Sequence, residues 1–401
     1  MGPCALDELE SVEVILTANC NLRCAYCYQN AKKPRSMSWD TLRGALDILL
    51  RSHSPEVAVV FLGGEPLLEF PLIRKAVAYV EGRRTRKKVV RFSLSTNGTL
   101  LGAEQARFLD RHRIDVQLSF DGVPESQRLR GRGTFEILDR LLGRLSADTP
   151  RLFRDGLTVH MTLTASTIPS LADSIAYFLG KGVAEISVGP VVTFDPGWTT
   201  DLLENLEHQF ARAFVACVEH YRRMGEVPVL LFRLDGAPAR NVPEGAMCRA
   251  PTGEVLAVDV DGHVYGCAAF AESYQKPASP FLRSGVVSMW LGDFRDPDFA
   301  GRLARYPQAA RGLGIFHDKE RKHSSFGRCA DCRFAKACSV CPASIGHIPG
   351  NADPHRVPDF VCAFNRTALG WRALFPRPES LRGASGRRGR GSRAESTLSR
   401  R

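Results

Sequence analysis

Six short apolar runs rich in β-branched residues alternate with helix-like stretches through the first half of this 401-residue chain. The runs cover residues 12–17, 57–62, 89–95, 115–120, 157–164 and 185–189. Between them, residues 38–51 set Leu42, Ala45, Leu46 and Leu49 at helical spacing behind a capping serine, and residues 103–112 form a second helix-like stretch. Such a succession predicts an α/β fold with a parallel sheet, because parallel neighbours need a long crossover between them. Curled into an arc, six such units make a partial version of the eight-unit barrel; left open, they make a doubly wound sheet. Periodicity does not separate the two. A further amphipathic helix is predicted over 202–223.

The cysteines decide where to look for chemistry. Of twelve, three stand close together as Cys20-x3-Cys24-x2-Cys27, seven fall from Cys248 to Cys362, and Cys4 and Cys217 stand apart. The N-terminal residues lack the basic start and apolar centre of a secretory signal, and no apolar run is long enough to cross a bilayer. The expected compartment is the cytoplasm, where clustered cysteines favour metal or cluster ligation over disulfides. The first cluster follows directly on the first strand, at the carboxyl end of the sheet, where parallel α/β folds hold their active sites. Three thiolates can hold three irons of a four-iron cubane and leave the fourth open, or bind a zinc completed by a distant ligand.

With the aromatic Tyr26 before its third cysteine, the motif resembles the signature of the radical S-adenosylmethionine (SAM) superfamily. The resemblance implies a partial (β/α)6 TIM-like barrel and a [4Fe-4S] cluster on Cys20, Cys24 and Cys27. Its open iron would bind SAM, which is cleaved reductively to a 5′-deoxyadenosyl radical. Further matches stand at later strand ends. Gly63-Gly64-Glu65-Pro66 is similar to the family's GGEP element, with Glu65 expected to accept from the methionyl amino group. Ser95, Asn97, Ser119 and Asp121 match ribose-contacting positions, Arg130 the arginine for the SAM carboxylate, and Leu163 with Thr164 an adenine contact. The isolated Gly131-Arg132-Gly133 lacks the rest of a dinucleotide fingerprint and reads as a turn before a helix over 134–145.

The C-terminal cysteines resemble a SPASM domain, the module that carries two auxiliary [4Fe-4S] clusters in many radical SAM enzymes acting on polypeptides. Carried over by position, Cys248, Cys267 and Cys341 would hold the first cluster, and Cys329, Cys332, Cys338 and Cys362 the second. The first set is one ligand short. Paired C-x2-C units also mark zinc ribbons, but seven cysteines suit one tetrahedral zinc poorly. The expected organisation is a barrel over 1–225, a linker over 226–245, the cysteine-rich domain over 246–375 and a disordered basic tail over 376–401. From Arg377 onward eight Arg and two Glu supply +6 of the net charge of +11, so the charge is weak evidence for nucleic acid.

In the sulfatase-maturating members of this group an Asp follows the cysteine of the G-x4-C element and acts as base; here that residue is Ala268. The expected activity is therefore hydrogen abstraction from a ribosomally made peptide to install a thioether, carbon–carbon or ether crosslink. Formylglycine formation is the alternative, and an electron-transfer or binding protein without radical chemistry is the alternative of another class. The catalytic base is not assigned. The short stretch before strand one leaves no room for a leader-binding domain, so a separate protein, or the barrel mouth with residues 275–322, is expected to read the precursor. An external one-electron reductant is the other expected partner.

Overall fold

The computed structural model describes residues 8–29, 32–83, 88–233, 248–275, 279–311 and 316–376. The basic tail beyond Pro376, most of the expected linker, and Cys4 lie outside the described residues. Six strands, β1 (Ser11–Ile15), β2 (Glu56–Leu62), β3 (Val89–Thr96), β4 (Ile114–Ser119), β5 (Leu157–Leu163) and β6 (Glu185–Pro190), pair in parallel in chain order. Helices return the chain between them. The first, Trp39–Arg51, starts where the Ser38 side chain accepts from the Thr41 amide at 3.1 Å, and it buries Leu42, Ala45, Leu46 and Leu49 against the sheet.

Strand alternation gives the sheet two unlike faces. Val57, Val59 and Phe61 on β2, Val116 and Leu118 on β4, and Val159, Met161 and Leu163 on β5 belong to one continuous core. Each buried side chain of this kind contributes about 1.5–3 kcal/mol. The opposite phase is polar: Gln117 and Ser119 on β4, and His160 and Thr162 on β5, line a cavity at the carboxyl ends of the strands. The six units form the parallel α/β arrangement expected from the sequence.

The sheet does not stop at the expected boundary. Strand β7 (Val255–Val258) pairs in parallel with the free edge of β1, Ser11 opposite Val255 and Val14 opposite Val258. Strands β8 (His263–Tyr265) and β9 (Trp290–Asp293) follow antiparallel, so the order is β6-β5-β4-β3-β2-β1-β7-β8-β9. Residue 229, on the barrel side of the segment expected as a linker, forms a parallel bridge to Ile186 of β6. The C-terminal helix Asp359–Ala373, which carries Cys362, docks on helix Leu202–Met224. There the Glu207 carboxylate accepts from Thr367 and Trp371, and Phe210 meets Phe364 edge to face. The β1–β7 pairing and this helix pair both tie the cysteine-rich part to the barrel. No helix among the described residues is long and apolar enough to cross a membrane.

Candidate active site

The loop after β1 carries Cys20, Cys24 and Cys27, and all three line one cavity of about 310 Å³ at the mouth of the parallel strands. The loop is laced to its neighbours through backbone. The Gly64 amide donates to the Thr17 carbonyl at 2.7 Å, Glu65 to Asn19 at 2.9 Å, and Ala25 to Leu129 at 2.8 Å. A Cβ on Gly64 would overlap the Asn19 carbonyl and stand 2.9 Å from Cys20 Cβ, so this approach needs glycine. Burial pushes the Cys20 and Cys24 thiols up, while Lys32 lowers both and Arg130 lowers Cys24. Buried thiolates need nearby positive charge, which bound iron supplies.

Among the described residues, no group of three or more His, Cys, Asp or Glu converges as a single metal ion requires. A cubane asks for something different, since each thiolate takes its own iron around a larger body. Three cysteines lining one cavity, with Gly63 also on its wall and the Gly64 backbone packed beside Cys20, fit such a cluster with one iron left to a small ligand.

Of the expected SAM contacts, Gly63, Gly64, Ser95, Asn97, Ser119 and Arg130 line this cavity. Four others, Glu65, Asp121, Leu163 and Thr164, do not. Glu65 is fully buried, and its carboxylate accepts from the amides of Leu67 and Asn97 and from the Thr96 hydroxyl, at 2.7–3.0 Å. Its place is to bind the GGEP loop to the end of β3. Asp121 is likewise occupied: it accepts from Arg130 Nη2 at 2.8 Å and Nε at 3.0 Å, from the Thr162 amide at 2.9 Å, and from the Tyr26 hydroxyl. Leu163 belongs to the apolar core behind the sheet. The adenine expectation there is corrected by strand parity, which turns Thr162 and His160 to the cavity instead.

Arg130 and Asp121 form a buried pair, their side chains 8% and 2% exposed. Burial works against the guanidinium charge, but Asp121 and Tyr26 outweigh it and hold its pKa raised. The fork toward Asp121 uses Nε and Nη2; among the described residues Nη1 makes no hydrogen bond and is free to meet an anionic ligand. His160, missed in the sequence, sits 3.2 Å from the Ser187 hydroxyl through Nδ1. Burial, and then Arg130, push its pKa down to about 4, so the ring is neutral near pH 7. The alternation of polar residues along β4 and β5 was the signal that could have found it.

The seven C-terminal cysteines sort into two cavities. Cys248, Cys267 and Cys341 line one of about 360 Å³. Cys329, Cys332, Cys338 and Cys362 line the other, with Val340 on the wall of both. In the second, Ser324 donates to Cys362 Sγ at 3.1 Å and Asn365 to Cys338 Sγ at 3.5 Å, while Lys319, Arg328 and Arg366 border the sulfurs. Donors and cations of this kind offset the negative charge of a thiolate-bound cluster. Cys217 is buried in helix Leu202–Met224, away from all three sets, its thiol pushed up to about 12 by burial.

Residues 14–175 match the family model described as the Radical SAM superfamily. An uncharacterized protein of Methanocaldococcus jannaschii is 28% identical over 264 residues, 65% of this chain and 86% of its own. The solved structure of the sulfatase-maturating enzyme anSMEcpe with bound AdoMet superposes with a TM-score of 0.70 at 18% identity, covering 94% of this chain and 95% of that one. Streptococcus suis SuiB, solved with its precursor peptide SuiA, gives 0.52 at 16% identity, covering 88% of this chain and 76% of its own. The cysteine loop, the strand-end cavity and the matched region agree: residues 14–175 form a radical SAM domain, and the chain is an enzyme of that type.

Proposed function

We propose that this radical SAM enzyme is a peptide maturase with two auxiliary clusters, which removes hydrogen from a ribosomally made polypeptide to form a crosslink. The observation that carries the reading is the sorting of the seven C-terminal cysteines into two cavities, three thiols in one and four in the other. The fold shared with anSMEcpe and SuiB supports it, since SuiB was solved with a peptide bound.

In this reading Cys20, Cys24 and Cys27 hold the cluster that binds SAM. Arg130 offers Nη1 to the SAM carboxylate while Asp121 fixes its plane. Gly63 and Gly64 let the backbone approach the methionyl end, and Ser95, Asn97 and Ser119 present polar atoms to the sugar. When bound, the cluster and SAM supply a carbon radical, and the protein's own part is to hold and orient the pieces. His160, neutral and anchored on Ser187, keeps the inner wall polar without adding charge. Cys248, Cys267 and Cys341 would hold one auxiliary cluster, and Cys329, Cys332, Cys338 and Cys362 the other. A one-electron reductant is the partner this scheme needs; the precursor is read by a separate protein or by the barrel mouth itself.

Ala268 weighs against formylglycine formation. It is 5% exposed and lies directly after Cys267, so the residue at this position supplies no carboxylate of its own to act as base. The test is anaerobic incubation with SAM, dithionite and candidate precursor peptides, followed by tandem mass spectrometry. A product lighter by two hydrogens whose fragments stay linked is expected. An aldehyde trapped by hydrazine, without a linkage, would move the enzyme to the sulfatase-maturating activity.

A further inference from the structure

The first auxiliary set is one thiol short, and the cavity wall holds a different donor. Glu13 lines the same cavity as Cys248, Cys267 and Cys341. It sits on β1 near the middle of the nine-stranded sheet, paired with Val60 of β2 on one side and Ala257 of β7 on the other. A carboxylate at such a position needs compensation, because its charge is removed from water on a strand enclosed from both edges. Among the described residues it has only one hydrogen bond, from the Ala268 amide to Oε2 at 3.2 Å, and no ion-pair partner.

That hydrogen bond ties Glu13 to the residue after Cys267, so the carboxylate and the thiol approach the cavity from adjoining backbone. The cation lining this cavity, Arg249, spends its Nη2 on Glu10 and Glu254, both at 2.6 Å, and makes no ion pair with Glu13; its Nε has no hydrogen bond among the described residues. Three thiols and one carboxyl group without an ion-pair partner among the described residues form a complete four-donor set for a cubane around a single space, and iron would supply the positive charge that such a buried group lacks. The Ser339 hydroxyl also borders the cavity, but an alcohol must lose a proton to bind iron as strongly.

We propose that Glu13 is the fourth protein ligand of the first auxiliary cluster, binding its otherwise open iron through the carboxylate. This rests on the two-cluster reading given above. It assigns the first auxiliary cluster to electron transfer or structure, since an iron closed by protein cannot take the substrate.

The experiment uses the full chain with Cys20, Cys24 and Cys27 replaced by Ala, so that only auxiliary clusters remain. Reconstitution should give about eight irons per chain, and cyanide should leave the electron paramagnetic resonance of the reduced protein unchanged. Glu13→Gln should open one iron, so that cyanide now shifts the signal of one cluster and leaves the other. Glu13→Cys should keep the iron and stay insensitive to cyanide. A cyanide shift before any change at Glu13, or a Gln variant that keeps its iron and ignores cyanide, overturns the assignment. If Glu13→Gln loses half of the iron, Glu13→Cys decides: retained iron supports ligation, and lost iron means that the carboxylate acts only through Ala268. A count of about four before any change at Glu13 overturns the two-cluster reading itself, and the inference with it.

Discussion

Replacing Asp121 by Asn tests whether the carboxylate is there for the protein or for SAM. Its two oxygens accept from two guanidinium nitrogens of Arg130, the Thr162 amide and the Tyr26 hydroxyl. Asparagine keeps the shape but replaces one acceptor by a donor. If its oxygen stays with Arg130 Nη2 and Thr162, its amide meets Arg130 Nε–H, donor against donor. The Arg130 charge is then left in a site where its side chain is 8% exposed. Breaking a buried pair from one side costs about 3–5 kcal/mol. That is a large part of the roughly 5–15 kcal/mol that holds a domain together.

The assay is denaturant unfolding of the cluster-free protein, followed by SAM binding to the reconstituted protein. Asp121→Asn should lower stability by about 3–5 kcal/mol and weaken SAM binding through the misplaced Arg130. The double change Asp121→Leu with Arg130→Met separates the two effects. An apolar pair of similar volume removes both charges but leaves the Thr162 amide and the Tyr26 hydroxyl without their acceptor, so stability should recover only in part. SAM binding should not return with it, because Nη1 is gone. The reasoning fails if Asp121→Asn is as stable as the parent, or if the apolar pair still binds SAM at the parental affinity.

Other outcomes follow from the same geometry. Iron analysis after anaerobic reconstitution should give about twelve irons per chain, falling by about four when Cys20, Cys24 and Cys27 are replaced by Ala. A four-iron loss that spares reductive SAM cleavage would remove these cysteines from their role. Gly64→Ala should cost about 1–3 kcal/mol by overpacking, because the new methyl meets the Asn19 carbonyl, and it should lower iron retention at Cys20. His160 gives a pH signature. Its folded pKa of about 4 lies below the usual 6.5, so the unfolded chain takes up a proton first as pH falls. The stability this contributes is complete above pH 6.5 and is lost between 6.5 and 4, by up to about 3 kcal/mol. His160→Gln should flatten that part of the stability profile, and parallel profiles for the two proteins would refute the assignment.

How much of this was legible in the sequence depends on the kind of signal. The six strands and the helix Trp39–Arg51 were readable because period two and period three-to-four patterns are local, and the Ser38 cap marks a start within one turn. The pairing of β7 with β1 was not readable. Residues 255–258 are only four apolar positions, and nothing local says that they extend the sheet at the free edge of a strand some 240 residues earlier. The interaction lives in tertiary contacts alone, and it is what brings Glu13 beside Cys267.

Leu163 shows a different limit, one that the sequence itself could have resolved. Along β5 the residues 157, 159, 161 and 163 are Leu, Val, Met and Leu, while 158, 160 and 162 are Thr, His and Thr. A strand cannot turn Leu157, Val159 and Met161 to the helices and Leu163 to the opposite side without a bulge, and β5 pairs with β6 in unbroken register from Thr158 to Leu163. Parity therefore commits Leu163 to the core and delivers His160 and Thr162 to the cavity. The same rule applied to β1 sends Val12 and Val14 to the helices and Glu13 to the other face. That face is polar on β4 and β5 as well, but on β1 it is enclosed between β2 and β7, and Glu13 is the one ionisable side chain of the strand. A carboxylate placed there calls for a cationic partner.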